Sequence, residues 1–204
     1  MSGSFPTAGF TTMEFKSNTQ TRTTQTLSGR VQRAQINSQF FSFKLVSPPL
    51  TRAEYMPIMA FIMKQGGKFD SFTVIPPSIS STRGTASGTT TVADIVSSDF
   101  STAATSSTVP ITNDGVSSGT LKTGDLIKFS NHDKVYMLTD DVNLDGSTIV
   151  GLPIFPSLRT AVSSSTTVQY DNVPFKVFLT SDVQQFNVGN QNLFQYEINV
   201  REDT

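Results

Sequence analysis

The chain carries one histidine, His132, within Asn131-His132-Asp133. An imidazole beside a carboxylate could move a proton. A catalytic reading needs a positioned partner such as Asp133 and a nearby nucleophile, and nothing at suitable spacing supplies a triad. The residues around it form a turn pattern, so His132 reads as a solvated turn residue. Asp141, Asn143, Asp145 and Gly146 follow D-x-N-x-D-G, the first half of an EF-hand calcium loop. Hard oxygens at alternate positions could wrap calcium, but the twelfth position, where a bidentate Glu belongs, holds Leu152. A plain Asp-Gly hairpin turn accounts for the same residues. The nucleophile elbow, the phosphate loop and the dinucleotide fingerprint are absent. Zero cysteines exclude disulfides, thiolate catalysis and zinc–cysteine sites. No catalytic residue and no cofactor is assigned, and the chain does not read as an enzyme.

Charge placement is more informative. No acid lies between Glu14 and Glu54, yet Lys16, Arg22, Arg30, Arg33, Lys44 and Arg52 all do. One reading is ordinary solvated strand faces. The other is an arm and first strand that dock on an acidic surface of a neighbouring subunit, where arginine forks are favoured. The net charge of −1 and a 15% share of charged residues do not suit a nucleic-acid binder. No apolar run is long enough to cross a bilayer, and MSGSFPTAGF lacks the basic start and apolar core of a secretory signal.

The elements that would position these residues are legible in SPPLTRAEYMPIMAFIMKQGGKFDSFTVIPP, residues 47–77. Pro48-Pro49 ends a strand, because proline cannot donate to a sheet ladder. Thr51 and Glu54 stand at capping-box spacing, and Gly66-Gly67 suits a helix stop. These bound a helix over 52–65, with Pro57 inside it as an expected distortion. Tyr55, Ile58, Met59 and Ile62 make one apolar stripe, widened by Met56, Ala60 and Met63. A helix apolar nearly all round is buried or clamped between partners, and three methionines suit an adaptable contact surface.

The rest reads as β. Phe41, Phe43 and Leu45 alternate with polar residues, as do Phe194, Tyr196, Ile198 and Val200. Leu126–Phe129, Val135–Thr139 and a strand beginning near Thr148 form a meander, and Val173–Leu179 is another strand. Short candidate strands near Val92 and Ile95 lie in a weakly apolar tract. Residues 1–26 are polar and Thr-rich, with isolated Phe5, Phe10 and Phe15; they read as an extended arm or edge strand that is dispensable for folding. The front strands and the C-terminal hairpin need each other to cover the helix. The expected architecture is mainly β: a split β-barrel or sandwich domain with one α-helix, residues 1–77 plus 172–204, interrupted by an inserted small β domain, 78–171.

These residues resemble a known group. Ser28-Gly29-Arg30 with Gln32, the strand Phe40–Leu45, Pro49-Leu50-Thr51-Arg52-Ala53-Glu54 before an apolar helix, and Phe72-Thr73-Val74 are similar to the distal tail and minor tail (baseplate hub) proteins of tailed bacteriophages. Leu121–Phe129 with Lys134–Met137 is similar to an inserted domain in such proteins, and the closing strands also fit.

The resemblance implies a structural virion protein at the tail tip or baseplate, made in the host cytoplasm. It implies a homo-oligomer, a hexameric ring joining the tail tube to the hub, fibres or receptor-binding apparatus. DNA would pass through the lumen as cargo, and no membrane partner is implied. The helix and arm would contact adjacent subunits, which places Arg22, Arg30, Arg33, Arg52, Tyr55, Met56, Met59 and Met63 at the subunit interface. Two alternatives stay open. One is a tail-tube subunit. The other is a carbohydrate- or fibre-binding module in the insert, with Tyr136 or Phe155 as its aromatic.

Overall fold

A computed structural model of the chain describes residues 3–6, 10–93, 101–112, 118–145, 149–188 and 193–204, the side chains of 37 and 38 apart. Ile95, Gly146 and Thr148 lie outside them. The elements are β1 (Thr12–Gln25), β2 (Val31–Val46), α1 (Arg52–Lys64), β3 (Ser71–Val74), β4 (Thr90–Val92), β5 (Thr108–Thr112), β6 (Thr120–Leu121) and β7 (Leu126–Phe129). They continue with β8 (Val135–Leu138), β9 (Val142–Asn143), β10 (Ile149–Phe155), β11 (Thr167–Gln169), β12 (Phe175–Leu179), β13 (Phe186–Val188) and β14 (Phe194–Glu202). Two compact units emerge: residues 1–73 with 176–204, and residues 74–175.

In the first unit the strands run β1-β2-β14-β12-β3, with β13 also pairing β14. Period-2 alternation sets the register: Val200 lies opposite Phe43 and Ile198 opposite Leu45. Tyr196, Ile198 and Val200 are buried, while Gln195, Glu197 and Asn199 are exposed. Beneath this face lies α1, burying Tyr55, Ile58 and Ile62. Its start is fixed as the spacing implied: the Glu54 carboxylate accepts the Thr51 N–H at 2.9 Å and the Thr51 hydroxyl at 2.7 Å. Both bonds favour the ionised carboxylate and hold its pKa below the ordinary value. The helix runs through Pro57.

The described residues among 1–26 are part of this fold, contrary to the expectation that the segment is dispensable. β1 pairs antiparallel with β2 from Thr12↔Val46 to Gln25↔Val31. Phe15 packs on Phe41 and Phe43, with ring centroids 4.9 and 5.2 Å away. Phe5 is buried among Phe10, Phe61, Phe72 and Tyr196. Its N–H bonds to the Thr73 carbonyl at 2.8 Å, placing residues 3–5 beside β3. Three isolated aromatics thus tie a polar segment to the core.

The second unit is a closed barrel, β10-β5-β4-β11-β7-β8, with β6 and β9 as a separate pair. Ile111, Ile127, Phe129, Tyr136, Leu138, Leu152, Ile154 and Val168 fill its interior. Outside the ladder, residues 84–88 run along 118–121. Ala86 N–H meets the Thr120 carbonyl at 3.1 Å, and Ser87 bridges Ser118. Gly84 is required there, because a Cβ would collide with the Thr120 carbonyl. A buried carboxylate fixes the same segment. Asp125 accepts the Thr82 hydroxyl, the Arg83 N–H at 3.1 Å and the Lys122 N–H at 2.9 Å.

Candidate assembly interface

The β1–β2 hairpin outgrows its unit. Every residue from 19 to 36 is exposed. A register shift between Asn18 and Gln20 marks where the covered half ends. Beyond it six residue pairs continue, from Gln20↔Ile36 to Gln25↔Val31. At about 3.4 Å per residue the ribbon reaches roughly 20 Å past the shift. The turn is set by Gly29 at φ +81° and by Thr26, whose N–H bonds to the Arg30 carbonyl at 3.0 Å.

Directly paired residues share a face, so the register sorts the side chains. One face carries Arg22 with Ala34 and Gln20 with Ile36; the other carries Arg33 with Thr23 and Val31 with Gln25. Each face therefore shows an arginine and an aliphatic, and Leu27 at the tip is fully exposed. Among the described residues Arg22, Arg30 and Arg33 have no ion-pair partner. A bare two-stranded ribbon is marginal in water, and exposed aliphatics beside arginine match the make-up of a protein contact. β1 is also an edge strand, and among the described residues no strand pairs with its outer side.

On α1 the sequence-derived residues separate. Met56 and Met63 are exposed, Met59 is partly covered, and Arg52 is exposed. Tyr55 is turned inward and 1% exposed, stacked on Phe194 at 5.0 Å. It supports the helix from beneath rather than offering a contact, and burial raises its pKa. Met56, Ala60 and Met63 lie at i, i+4 and i+7 and form one exposed stripe. Phe69, just past the helix, is 90% exposed. Sequence reasoning missed Phe69 and the hairpin trio Leu27, Val31 and Ile36. The available signal was three aliphatics in a Thr/Gln/Arg context around Ser28-Gly29.

The calcium candidates are engaged elsewhere. Asp141 accepts the Lys122 ammonium at 2.7 Å, the Thr123 N–H at 2.8 Å and the Thr123 hydroxyl at 2.9 Å. These bonds pull its pKa down to about 2, the Lys122 bond being the largest influence. Asp145 accepts the Gly119 N–H, and Asn143 accepts the Asp145 N–H. Among the described residues no three His, Asp or Glu side chains gather to hold a metal. Tyr136 is fully buried and Phe155 is 36% exposed. An open cleft of about 850 Å³ lies on the second unit's surface, lined by Lys128, Ser130, Thr167, Gln169 and Asp171 among others.

Comparison with known proteins points to the structural proteins of bacteriophage tails. Residues 83–173 match the family model described as distal tail protein pb9, B domain. The match falls within the second unit. The match covers less than half of the chain and makes the second unit similar to a domain of a tailed-phage distal tail protein, a structural protein of the phage tail. No curated protein matches the chain.

Proposed function

We propose that this chain is the repeating subunit of a hexameric ring at the distal end of a phage tail. Residues 1–77 with 172–204 form the ring domain, and 78–171 are an inserted module carried on it. The ring joins the tail tube to the hub, fibres or receptor-binding apparatus, and DNA passes through its lumen. The protein is made in the host cytoplasm and acts by geometry, with no chemical step. The observation that carries this reading is the hairpin beyond Asn18, exposed on both faces with unpaired arginines and bare aliphatics. The Met56–Met63 stripe is a second uncovered surface on the same unit. Subunits that laid one against the other would cover what a lone copy leaves in water.

The test replaces residues 20–36 with an Asn-Gly turn and leaves Phe5, Phe10 and Phe15 in place. Native mass spectrometry and negative-stain microscopy are expected to show rings for the parent chain and folded monomers for the variant. Intact rings from the variant would overturn the reading. A tail-tube subunit would use similar surfaces but stack into many rings, so copy number in the particle separates the two. The carbohydrate-binding alternative would use the open cleft on the second unit, where Tyr170 lies beside Lys128, Gln169 and Asp171, and a glycan array with the full chain examines it.

A further inference from the structure

The turn between β7 and β8 holds a chain of hydrogen bonds whose direction is fixed at both ends. Asn131 Nδ2 donates to the Ala161 carbonyl at 3.0 Å, which turns Asn131 Oδ1 toward His132 Nδ1 at 2.7 Å. An amide oxygen only accepts, so the imidazole proton resides on Nδ1. His132 Nε2 is then an acceptor, and the Tyr136 hydroxyl donates to it at 2.8 Å. The Tyr136 oxygen in turn accepts the Arg159 N–H at 3.1 Å. The path links the β7–β8 turn to residues 158–162. That segment buries Leu158 and Val162 and bonds to Thr102, Thr105 and Ser106.

Only the neutral imidazole completes the path. A proton added at Nε2 faces the Tyr136 O–H head on. If the hydroxyl rotates away, a fully buried donor gives up its bond to Nε2. The titratable groups around the ring are Lys128 on β7, Asp133 and Lys134 in the turn, and Tyr136 on β8; the facing segment contributes the Arg159 backbone N–H. Burial disfavours the imidazolium most; Lys128 and Lys134 add to this and Asp133 opposes it, so the pKa lies below the ordinary value. The Phe129 ring packs against the imidazole, centroids 5.9 Å apart, and limits its escape to water.

We infer that His132, Tyr136 and Asn131 form an acid-sensitive clasp that holds residues 158–162 against the β7–β8 turn at neutral pH and releases them on protonation. The favoured state binds no proton at Nε2, while the opened state binds one readily. Opening therefore grows as pH falls below about 6.5, by up to about tenfold per unit, until the folded pKa is reached.

The single histidine makes the test clean. In the full chain, NMR follows the His132 imidazole and the Arg159 and Val162 amides from pH 7.5 to 5, with hydrogen exchange corrected for intrinsic rates. The imidazole is expected to titrate below 6.5. The Arg159 amide should move with the same midpoint, and exchange of the 158–162 amides should accelerate at least tenfold more than that of β7 amides. His132→Gln should abolish the pH dependence. Should that variant misfold, Tyr136→Phe should leave Arg159 exchanging fast at every pH, with no step at the imidazole titration. An Arg159 amide that ignores the imidazole titration, or pH-dependent opening that persists in His132→Gln, would overturn the inference.

Discussion

The carboxylate of Glu202 accepts the backbone N–H of Phe41 at 3.0 Å, joining residues 161 positions apart. Both are 1% exposed, so this N–H has no water to turn to. Glu202→Ala strands it, at a cost of about 1–3 kcal/mol. For a chain of this size that lowers the midpoint by about 2–4 °C per kcal/mol. Thermal melting of both proteins checks the effect. Glu202→Gln keeps an acceptor oxygen and should lose less than half as much, and equal losses would show that charge rather than the bond matters.

Gly84 lies against the Thr120 carbonyl with no room for a side chain. Gly84→Ala should cost about 1–3 kcal/mol through the overlap, against the small gain that alanine gives at an open site. A midpoint equal to or above the parent's would show that residues 84–88 are not pressed against 118–121.

Asp141 supplies an acid-side test. Its folded pKa of about 2 lies below the ordinary value of 3.8. The unfolded chain therefore binds the proton first as pH falls. The contribution is present above 3.8 and is lost as pH drops through about 2. Asp141→Asn should flatten the decline in melting temperature between pH 4 and 2. Calcium at millimolar levels should leave the parent's midpoint unchanged; a rise of several degrees that Asp141→Asn abolishes would restore the calcium loop.

Met56 and Met63 are exposed on a helix whose inner face is held by Tyr55, Ile58 and Ile62. Converting both to Asp should change the monomer's stability by no more than about 0.5 kcal/mol per site. If the stripe is covered in a ring, the same pair should abolish assembly, as sedimentation velocity would record. Unimpaired rings would remove α1 from the interface.

Strong local patterns were legible in the sequence. The alternation from Phe194 to Val200, the strands Leu126–Phe129 and Val135–Leu138, and the Thr51–Glu54 helix start all depend on residues within a few positions of one another. Elements stabilised from far away were not. Nothing near Thr12–Gln25 announces that Phe15 meets Phe41 and Phe43, or that the polar ladder beyond it continues to Val31. Residues 84–88 carry no apolar period because backbone bonds to 118–120 hold them in place. His132 reads as solvated because its partners, the Tyr136 hydroxyl and, through Asn131, the Ala161 carbonyl, come from across a turn and from a later segment. The helix showed which residues are apolar but not which side faces inward, so Tyr55 and Met56 looked alike.

The neighbours β3 and β12 in the first sheet are separated in the chain by the whole six-stranded barrel. The Tyr196 N–H reaches Ser47 Oγ across 149 positions. Closing so long a loop from an open chain is slow, since its entropy must be lost before any distant pair forms. The barrel's own contacts are nearer in sequence, and Val173 N–H bonds to the Ser80 carbonyl at 2.9 Å, drawing its two ends together. Once that happens, the first sheet has only short gaps left to bridge. The order of maturation thus departs from the order of synthesis: the middle of the polypeptide is expected to settle first, and the sheet joining the outer pieces waits for it.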